Sequence, residues 1–325
     1  MQTTTYMTRT FALLGGVTAV LTAGSLAAAE PASTQVFTLT PSTHGNPEGV
    51  VFDPRSNSFF VGATGDGTIY RGRLGNPNVE EFIAGGAGKS AIGLEVARGR
   101  LYVAGGATGN LIVYDLRSRN QVAAFATGTG GFLNDLVVTA DGDVFITDSF
   151  RPTLWHVTGA QVRAGSGTPE AISLSPEIVY QANAFNVNGI VALDERTLVV
   201  INSQNGALFR IDIERRGRRI QQIDAEPVLG GDGMILDRGR LVIVQGSPAQ
   251  LTFVDLDRRA RRGAVVAHVT DATFRGPSTV ARARNRYLVV NADFATSTAP
   301  FTVSGVARSG ANNDGDDDDR DDQDE

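Results

Sequence analysis

The chain has 325 residues, of which 42% are hydrophobic and 20% charged, so it can bury a sizeable core. It contains no cysteine, which excludes disulfides, thiolate metal sites and cysteine nucleophiles. The basic residues are scattered and almost all arginine, with Lys89 the single lysine, and we expect no nucleic-acid partner.

The N-terminus has the pattern of an export signal. Arg9 provides a small positive region, residues 11–26 are largely apolar, and Ala27-Ala28-Ala29 offers a small-residue cleavage site. We therefore predict a signal peptide over residues 1–29 and a secreted or periplasmic protein with no membrane partner after cleavage. A membrane anchor is the alternative, but the apolar stretch is short and glycine-rich for a span.

The C-terminus is an acidic block. Residues 312–325 hold nine acidic residues and one arginine, so the rest of the chain has 28 basic and 26 acidic residues and is nearly neutral. A block of like charges favours disorder, and we predict a disordered acidic tail over residues 311–325. A solubilising role is the simplest interpretation, and a loose calcium-collecting role is a weaker alternative.

Between these ends, one unit of about forty-four residues recurs six times. Each unit begins with a strand, a turn and a second strand. The six openings are PEGVVFDPRSNSFFVG from Pro47, AIGLEVARGRLYVAG from Ala91, LNDLVVTADGDVFITD from Leu133, VNGIVALDERTLVVIN from Val187, GDGMILDRGRLVIVQ from Gly231 and GPSTVARARNRYLVVN from Gly276. The third strands are TIYRGRL, LIVYDL, TLWHV, ALFRIDI, LTFVDL and FTVSGV.

A fixed period with the same strand count in each unit predicts an all-β fold, a six-bladed β-propeller with four antiparallel strands per blade. We assign it to residues 30–310 and expect a monomer. Gln35–Leu39 should supply an outer strand that closes the ring against the last blade. A β-sandwich or two small domains are the alternatives. The spacing between the third and fourth units is the longest because residues 159–179 are inserted after the third blade.

One position in the openings breaks the apolar pattern. The second residue of each opening is Glu48, Ile92, Asn134, Asn188, Asp232 and Pro277. Equivalent positions on innermost strands line the channel of a propeller, where uncompensated polar groups are costly. Oxygen ligands of this kind suit Ca²⁺. We predict one divalent cation held by Glu48, Asn134, Asn188 and Asp232. Mg²⁺ and Mn²⁺ are alternatives, and Zn²⁺ is less favoured because the histidines are dispersed.

These openings, in particular NPEGVVFD, FLNDLVVTADGDVFITDS, NVNGIVALD and GGDGMILD, resemble those of the gluconolactonase or senescence marker protein (regucalcin) family. The resemblance covers residues 35–307. It implies a calcium-dependent propeller hydrolase in which Glu48, Asn188 and Asp232 bind the metal directly. Asn134 would bind the metal or contact the substrate beside it. Sugar lactonases of the family usually carry an arginine two residues before the position of Asn134, where this chain has Phe132.

From these residues we predict a hydrolase of a small-molecule lactone, ester or phosphotriester, with Asp232 as general base or nucleophile. Substrate contacts are predicted for Phe132, Asn134, His44 and Phe150. A non-catalytic, metal-stabilised propeller that acts as a binding or scaffold protein is the alternative, since propellers host both classes. The chain has no G-x-S-x-G motif, which argues against a serine hydrolase.

Two turns between third and fourth strands are rich in arginine: ERRGRR at 214–219 and DRRARR at 257–262. They occupy equivalent places in the fourth and fifth units, so we expect them on one face, opposite the predicted substrate opening. Solvated turns are the simplest interpretation. The alternative is that the acidic tail folds back onto them.

Overall fold

The computed structural model describes Met1, residues 33–214 and residues 217–308. The predicted signal peptide, the predicted acidic tail and Arg215-Arg216 of the first arginine-rich turn lie outside these residues. No helix in the described ranges is long and apolar enough to cross a membrane.

The described chain is almost entirely β-strand, because short Val-, Ile- and Phe-rich runs alternate with turn-forming residues. The elements up to the third unit are β1 Gln35–Thr40, β2 Pro47–Asp53, β3 Ser58–Ala63, β4 Ile69–Arg73, β5 Asn76–Ile83, β6 Leu94–Ala97, β7 Arg100–Ala104, β8 Asn110–Asp115 and β9 Gln121–Ala126. The third unit comprises β10 Leu133–Val138, β11 Val144–Asp148, β12 Thr153–Val157, α1 Gly159–Ala164 and β13 Glu170–Ser173.

The remaining elements complete the fourth, fifth and sixth units. They are β14 Val187–Ala192, β15 Thr197–Asn202, β16 Leu208–Glu214, β17 Gly217–Gln222, β18 Gly231–Asp237, β19 Arg240–Gln245, β20 Gln250–Leu256, β21 Gly263–Val269, β22 Pro277–Ala283, β23 Arg286–Asn291 and β24 Thr302–Ala307. The sequence predicts an insertion at residues 159–179. In the structure this stretch contains the short helix α1 and the strand β13, which is the fourth strand of the third unit.

Four of the sheets among the described residues have four antiparallel strands in sequence order, starting at β6, β10, β14 and β18. The fifth sheet has eight strands in the order β2-β3-β4-β5-β1-β24-β23-β22, which is two further four-stranded units joined at their outer edges. β1 pairs antiparallel with β24, so the N-terminal strand supplies the outer strand of the last unit, as predicted. Pairing of β1 with β5 then links the last unit to the first.

The innermost strands form a closed ring. β2 contacts β6, β6 contacts β10, and the series continues through β14, β18 and β22 back to β2. Adjacent innermost strands are so close that a Cβ at Gly49 would lie 2.1 Å from the carbonyl oxygen of Ile92. A Cβ at Gly189 would lie 2.5 Å from the carbonyl oxygen of Asp232. This approach explains why glycine recurs at the third position of the openings.

The hydrophobic core is divided among the interfaces between sheets. The described residues form six buried clusters, and each joins two neighbouring units. The cluster around Phe37 and Phe59, for example, joins the first unit to Leu288 and Val303 of the last unit. The prediction of an all-β propeller built from four-stranded antiparallel sheets is confirmed.

Candidate metal site in the channel

The predicted ligands lie in a repeated β-bulge at the start of the innermost strands. The pairing register shifts between Pro47 and Val50, and it shifts at the same place in the third, fourth and fifth units. Each shift encloses the second and third residues of the opening. A bulge inserts an extra residue into one strand and interrupts the usual alternation of side chains between the two faces of the sheet. Because the same bulge occurs in four units, Glu48, Asn134, Asn188 and Asp232 occupy equivalent places around the ring.

In the sixth unit the sequence alignment is wrong by one residue. The bulge there lies between Pro277 and Val280, so Pro277 corresponds to Pro47, and Ser278 takes the ligand position. The offset arose because the opening was aligned from Gly276, whereas the strand begins at Pro277. The Ser278 hydroxyl donates to the carbonyl oxygen of Glu48 at 2.8 Å and is therefore used in joining the last unit to the first.

Three of the four predicted ligands are buried. Glu48 is 6% exposed, Asn134 4% and Asn188 6%, whereas Asp232 is partly exposed. The Glu48 Oε2 and Asn188 Oδ1 atoms are buried without a hydrogen-bond partner, and they alone have this status among side-chain atoms of the described residues. Buried polar atoms are normally paired, so two orphaned oxygens in one ring require an explanation.

The carboxyl groups of the ring are buried and repel one another. Burial raises the pKa of Glu48 well above its usual value, and the charges of Asp232 and Asp135 raise it further. Burial likewise raises the pKa of Asp232 to about 7, although a hydrogen bond from the Asn188 amide opposes the shift. Carboxylates that repel one another without a counter-charge favour protonation or cation binding.

Two more carboxyl groups lie in the channel, and neither was predicted. Burial raises the pKa of Asp135 to about 7, and burial together with the Asp135 charge raises the pKa of Glu95 to about 8. The sequence carried a signal for both. Asp135 occupies the third position, where four other openings have glycine, and Glu95 occupies a fifth position that is otherwise apolar.

Asp135 and Glu95 line a cavity of about 270 Å³ inside the ring of first strands. Its other walls are mainly apolar and include Leu94, Ile190 and Met234. The lining residues follow the ligand positions along every strand, so the cavity lies on the side of the ring toward the turns that join first to second strands. The ligands therefore sit between this cavity and the loops at the opposite end of the channel.

Asn134 is oriented by a neighbour in its own sheet. Its amide nitrogen donates to the hydroxyl of Ser149 at 2.9 Å, and that hydroxyl donates to the carbonyl oxygen of Val187 at 2.8 Å. The amide nitrogen is thus occupied, and the carbonyl oxygen is the atom that Asn134 can offer to a cation.

Three phenylalanines form a cluster on the loops beside Asn134. The Phe132 ring centroid lies 5.4 Å from that of Phe150 and 5.0 Å from that of Phe185, and Phe150 and Phe185 are 5.0 Å apart. Phe150 is 44% exposed and Phe185 45%. The sequence analysis predicted Phe132 and Phe150 as substrate contacts but did not identify Phe185. Phe185 could have been found from its position, because it lies three residues before Asn188 as Phe132 lies two residues before Asn134.

A fully buried aspartate holds this aromatic cluster in place. Asp148 Oδ1 accepts hydrogen bonds from the backbone amides of Phe132, Phe150 and Arg151 at 2.9–3.1 Å. Asp148 Oδ2 accepts from Arg151 Nε at 2.6 Å and from Trp155 Nε1 at 3.2 Å. Two loops that carry the aromatic residues are thereby fixed to one carboxylate.

The structure gives His44 a different role from the predicted substrate contact. Its Nδ1 lies 2.7 Å from Asp66 Oδ2 and its Nε2 lies 2.7 Å from Glu81 Oε1. Glu81 belongs to β5, the outer strand of the first unit, so the ring links two carboxylates and has both nitrogens engaged. The remaining predicted contacts, Phe132, Asn134 and Phe150, are brought together.

No group of three or more His, Cys, Asp or Glu side chains among the described residues forms a metal-binding cluster. A cation at the ring would therefore depend on the amide oxygens of Asn134 and Asn188 as well as on Glu48 and Asp232. The donor set of two carboxylates and two amides is entirely oxygen, and it matches the preference of Ca²⁺.

No protein-family model matches the chain, and no curated protein matches it. Solved structures do match. The chain is similar to a luciferin-regenerating enzyme, with a TM-score of 0.61 and 14% identity over 86% of this chain and 96% of that one. It is similar to regucalcin, a calcium-binding protein from Agrobacterium tumefaciens, with a TM-score of 0.58 and 14% identity over 81% of this chain and 91% of that one.

A gluconolactonase from Xanthomonas campestris is also similar, with a TM-score of 0.57 and 16% identity over 81% of this chain and 86% of that one. These identities are low, and the likeness shows the propeller fold.

Proposed function

We propose that this protein is an exported hydrolase that uses one divalent cation, Ca²⁺ in preference to Mg²⁺, Mn²⁺ or Zn²⁺, to cleave a small lactone, ester or phosphotriester. Glu48, Asn134, Asn188 and Asp232 would hold the cation. The similarity in fold to regucalcin and to a gluconolactonase supports this choice among the many activities of propellers.

The observation that carries the proposal is the pair of orphaned oxygens, Glu48 Oε2 and Asn188 Oδ1. A buried oxygen acceptor without a donor costs about 1–3 kcal/mol, and more if it is charged. A cation would satisfy both oxygens and remove the repulsion among Glu48, Asp232 and Asp135 that raises the pKa of Glu48. When bound, Ca²⁺ would polarise a carbonyl or phosphoryl oxygen of the substrate as a Lewis acid.

Asp232 is the residue suited to the proton transfer. Of the four ligands it has the greatest exposure, so it is the one that an attacking water can reach most easily. A carboxylate within reach of an attacking water can act as its general base. The hydrogen bond from Asn188 orients its carboxylate, which would also permit direct nucleophilic attack.

The aromatic cluster of Phe132, Phe150 and Phe185 supports a substrate with an apolar or aromatic group. Rings at 5.0–5.4 Å centroid separation form a preorganised apolar wall next to Asn134. A polyhydroxylated sugar lactone would leave its hydroxyl groups without partners there. Aryl esters, aromatic lactones and aryl phosphotriesters are therefore the expected substrates.

A panel of phenyl acetate, dihydrocoumarin, gluconolactone and paraoxon, assayed with Ca²⁺, with Mn²⁺ and with EDTA, tests the activity. We expect turnover of an aromatic substrate that EDTA abolishes and Ca²⁺ restores. Asp232→Asn should lower kcat by about 10²–10⁴-fold. The matched control is Glu226→Gln, an exposed acid in the linker between the fourth and fifth units, which should leave kcat unchanged.

Thermal denaturation with and without Ca²⁺ separates the metal from the chemistry. Stabilisation by Ca²⁺ without turnover of any panel member would support the alternative, a metal-stabilised propeller that binds a partner through its aromatic cluster. Absence of both stabilisation and turnover would refute the metal site itself.

A further inference from the structure

The two ends of the propeller differ in charge. We call the side that carries the turns between first and second strands and between third and fourth strands the turn face. The opposite side, which carries the remaining loops and the linkers between sheets, is the loop face. Sixteen described arginines on the turn face are exposed: Arg55, Arg73, Arg98, Arg117, Arg119, Arg163, Arg196, Arg219, Arg238, Arg240, Arg258, Arg259, Arg261, Arg262, Arg282 and Arg284.

Exposed acids on the turn face are much fewer. The described ones are Asp141, Glu170, Asp194, Glu195, Glu214 and Asp257. Sixteen exposed arginines against six exposed acids leave an excess of ten positive charges. In contrast, the described loops and linkers of the loop face contain three arginines or lysines in all, Lys89, Arg151 and Arg275.

Local ion pairs account for a small part of this excess. Arg240 pairs with Asp255, Arg282 lies 3.5 Å from Asp237, and Arg219 lies 3.7 Å from Glu214. Arg98 and Arg284 instead bond neutral oxygens of neighbouring turns, those of Ala140 and Asn57. A surface with so many like charges repels itself and attracts anions over a Debye length, about 10 Å at 0.1 M salt.

The described chain ends on this face. Arg308 follows β24, and its backbone amide donates to the carbonyl oxygen of Asn285 in a turn-face hairpin at 3.0 Å. Its side chain pairs with Asp237, at the first-to-second strand turn of the fifth unit, at 2.7 Å. The same unit carries the arginine-rich turn 257–262. The 17 residues from 309 to 325 therefore begin beside the densest part of the positive surface.

Residues 309–325 have the opposite charge. They include nine acidic residues and one arginine, which gives a net charge of −8. A flexible chain of this length has a root-mean-square reach of about 21–25 Å. That reach compares with a radius of gyration of about 19 Å for a fold of this size. The segment can thus reach most of the turn face from Arg308.

We propose that the acidic segment 309–325 binds the arginines of the turn face of its own chain. Binding is electrostatic and distributed over many partners, so no single arginine determines it. The segment neutralises most of the excess positive charge, and it shields the face from other polyanions. Covalent attachment favours this occupant, because it keeps nine acidic residues within reach of the surface at any protein concentration.

Paramagnetic relaxation enhancement in the full chain tests the proposal. Because the sequence has no cysteine, a spin label can be placed uniquely at Gln323→Cys. At about 0.1 M salt we expect amide signals of turns 257–262 and 284–285 to lose intensity, while signals of loop-face residues 86–88 and 129–131 keep theirs. At about 1 M salt, where the Debye length is about 3 Å, the effect should disappear.

Two variants of the labelled chain sharpen the test. Replacing Arg258, Arg259, Arg261 and Arg262 with glutamine should weaken the signal loss on the turn face, and circular dichroism confirms that the variant is folded. Replacing Asp316, Asp317, Asp318 and Asp319 with asparagine changes only the acidic segment. This variant should weaken the signal loss on the turn face as much as the arginine variant does.

Three results would overturn the proposal. The first is no signal loss at low salt, and the second is equal loss on both faces. The third is signal loss that appears in unlabelled ¹⁵N protein mixed with spin-labelled ¹⁴N protein, because it would show that the segment binds a second copy.

Discussion

The loop face and the turn face are built from the same four-stranded unit but carry different chemistry. The loop face has an aromatic cluster, a ring of acids and amides and few basic residues. The turn face is covered with arginines. Strands repeat because they must pack in a closed ring, whereas loops and turns face solvent and vary freely. The strands fix the fold, and the side chains of the two faces can therefore differ in charge and polarity without changing it.

Each face also has a buried aspartate that accepts hydrogen bonds from several groups. Asp148 on the loop face is 0% exposed and binds three backbone amides, Arg151 and Trp155. Asp237 on the turn face is 6% exposed and accepts from Arg308 and from the hydroxyl of Tyr287. The difference is that the donors of Asp148 are mostly backbone groups, which cannot turn away to find water.

The largest effect is expected from Asp148→Ala. Removal of the carboxylate leaves three backbone amides without an acceptor and the Arg151 charge without its counter-charge. It should lower the free energy of unfolding by about 3–5 kcal/mol. Asp237→Ala should cost less, about 1–3 kcal/mol, because Arg308 can reorient toward solvent. Urea denaturation of both variants measures the two losses in the free energy of unfolding and shows which is larger. A larger loss for Asp237→Ala would contradict the account of the two anchors.

Calcium should act on the loop-face site in a pH-dependent way. Burial raises the pKa of Asp232 to about 7, so the folded metal-free state binds a proton more tightly than the unfolded state. Without metal, this group therefore stabilises the fold as the pH falls through about 7. Calcium needs the ionised form. The calcium-induced rise in Tm should thus be largest near pH 8 and shrink toward about pH 6.

At a calcium concentration 100-fold above Kd, the stabilisation should be about 2.7 kcal/mol, or roughly 5–10 °C in Tm. Glu48→Gln should abolish this shift by removing one of the two ligand charges, whereas Glu226→Gln should preserve it. An undiminished shift in Glu48→Gln would rule out Glu48 as a ligand.

The smallest effect is expected from Phe132→Arg, which places a polar side chain in the aromatic cluster. KM for an aryl ester should rise about tenfold, equivalent to about 1.4 kcal/mol, while kcat changes little. KM for gluconolactone should fall, because the guanidinium of the introduced arginine can donate hydrogen bonds to the hydroxyl groups of the sugar. Equal changes for both substrates would show that the cluster does not select between them.

The repeat, the strand order and the closing strand β1 followed from the sequence because each depends on local patterns: period-two apolar runs, turn residues and a constant spacing. The ring positions followed for the same reason in the first five units. In the sixth unit, Pro277 looked equivalent to Glu48, and pairing with β23 was needed to show that Ser278 takes that place. A bulge shifts register without leaving a mark in the apolar pattern.

By itself, the sequence determined the architecture and the residue types in the channel. Only the tertiary structure decided which of their atoms lack partners, since Glu48 Oε2 and Asn188 Oδ1 are orphaned by the packing of units distant in sequence. It also moved His44 from the predicted site to a carboxylate pair that includes the outer strand β5, and it joined Phe185 to Phe132 and Phe150. Contacts between units depend on how the ring closes, and no local pattern contains that information.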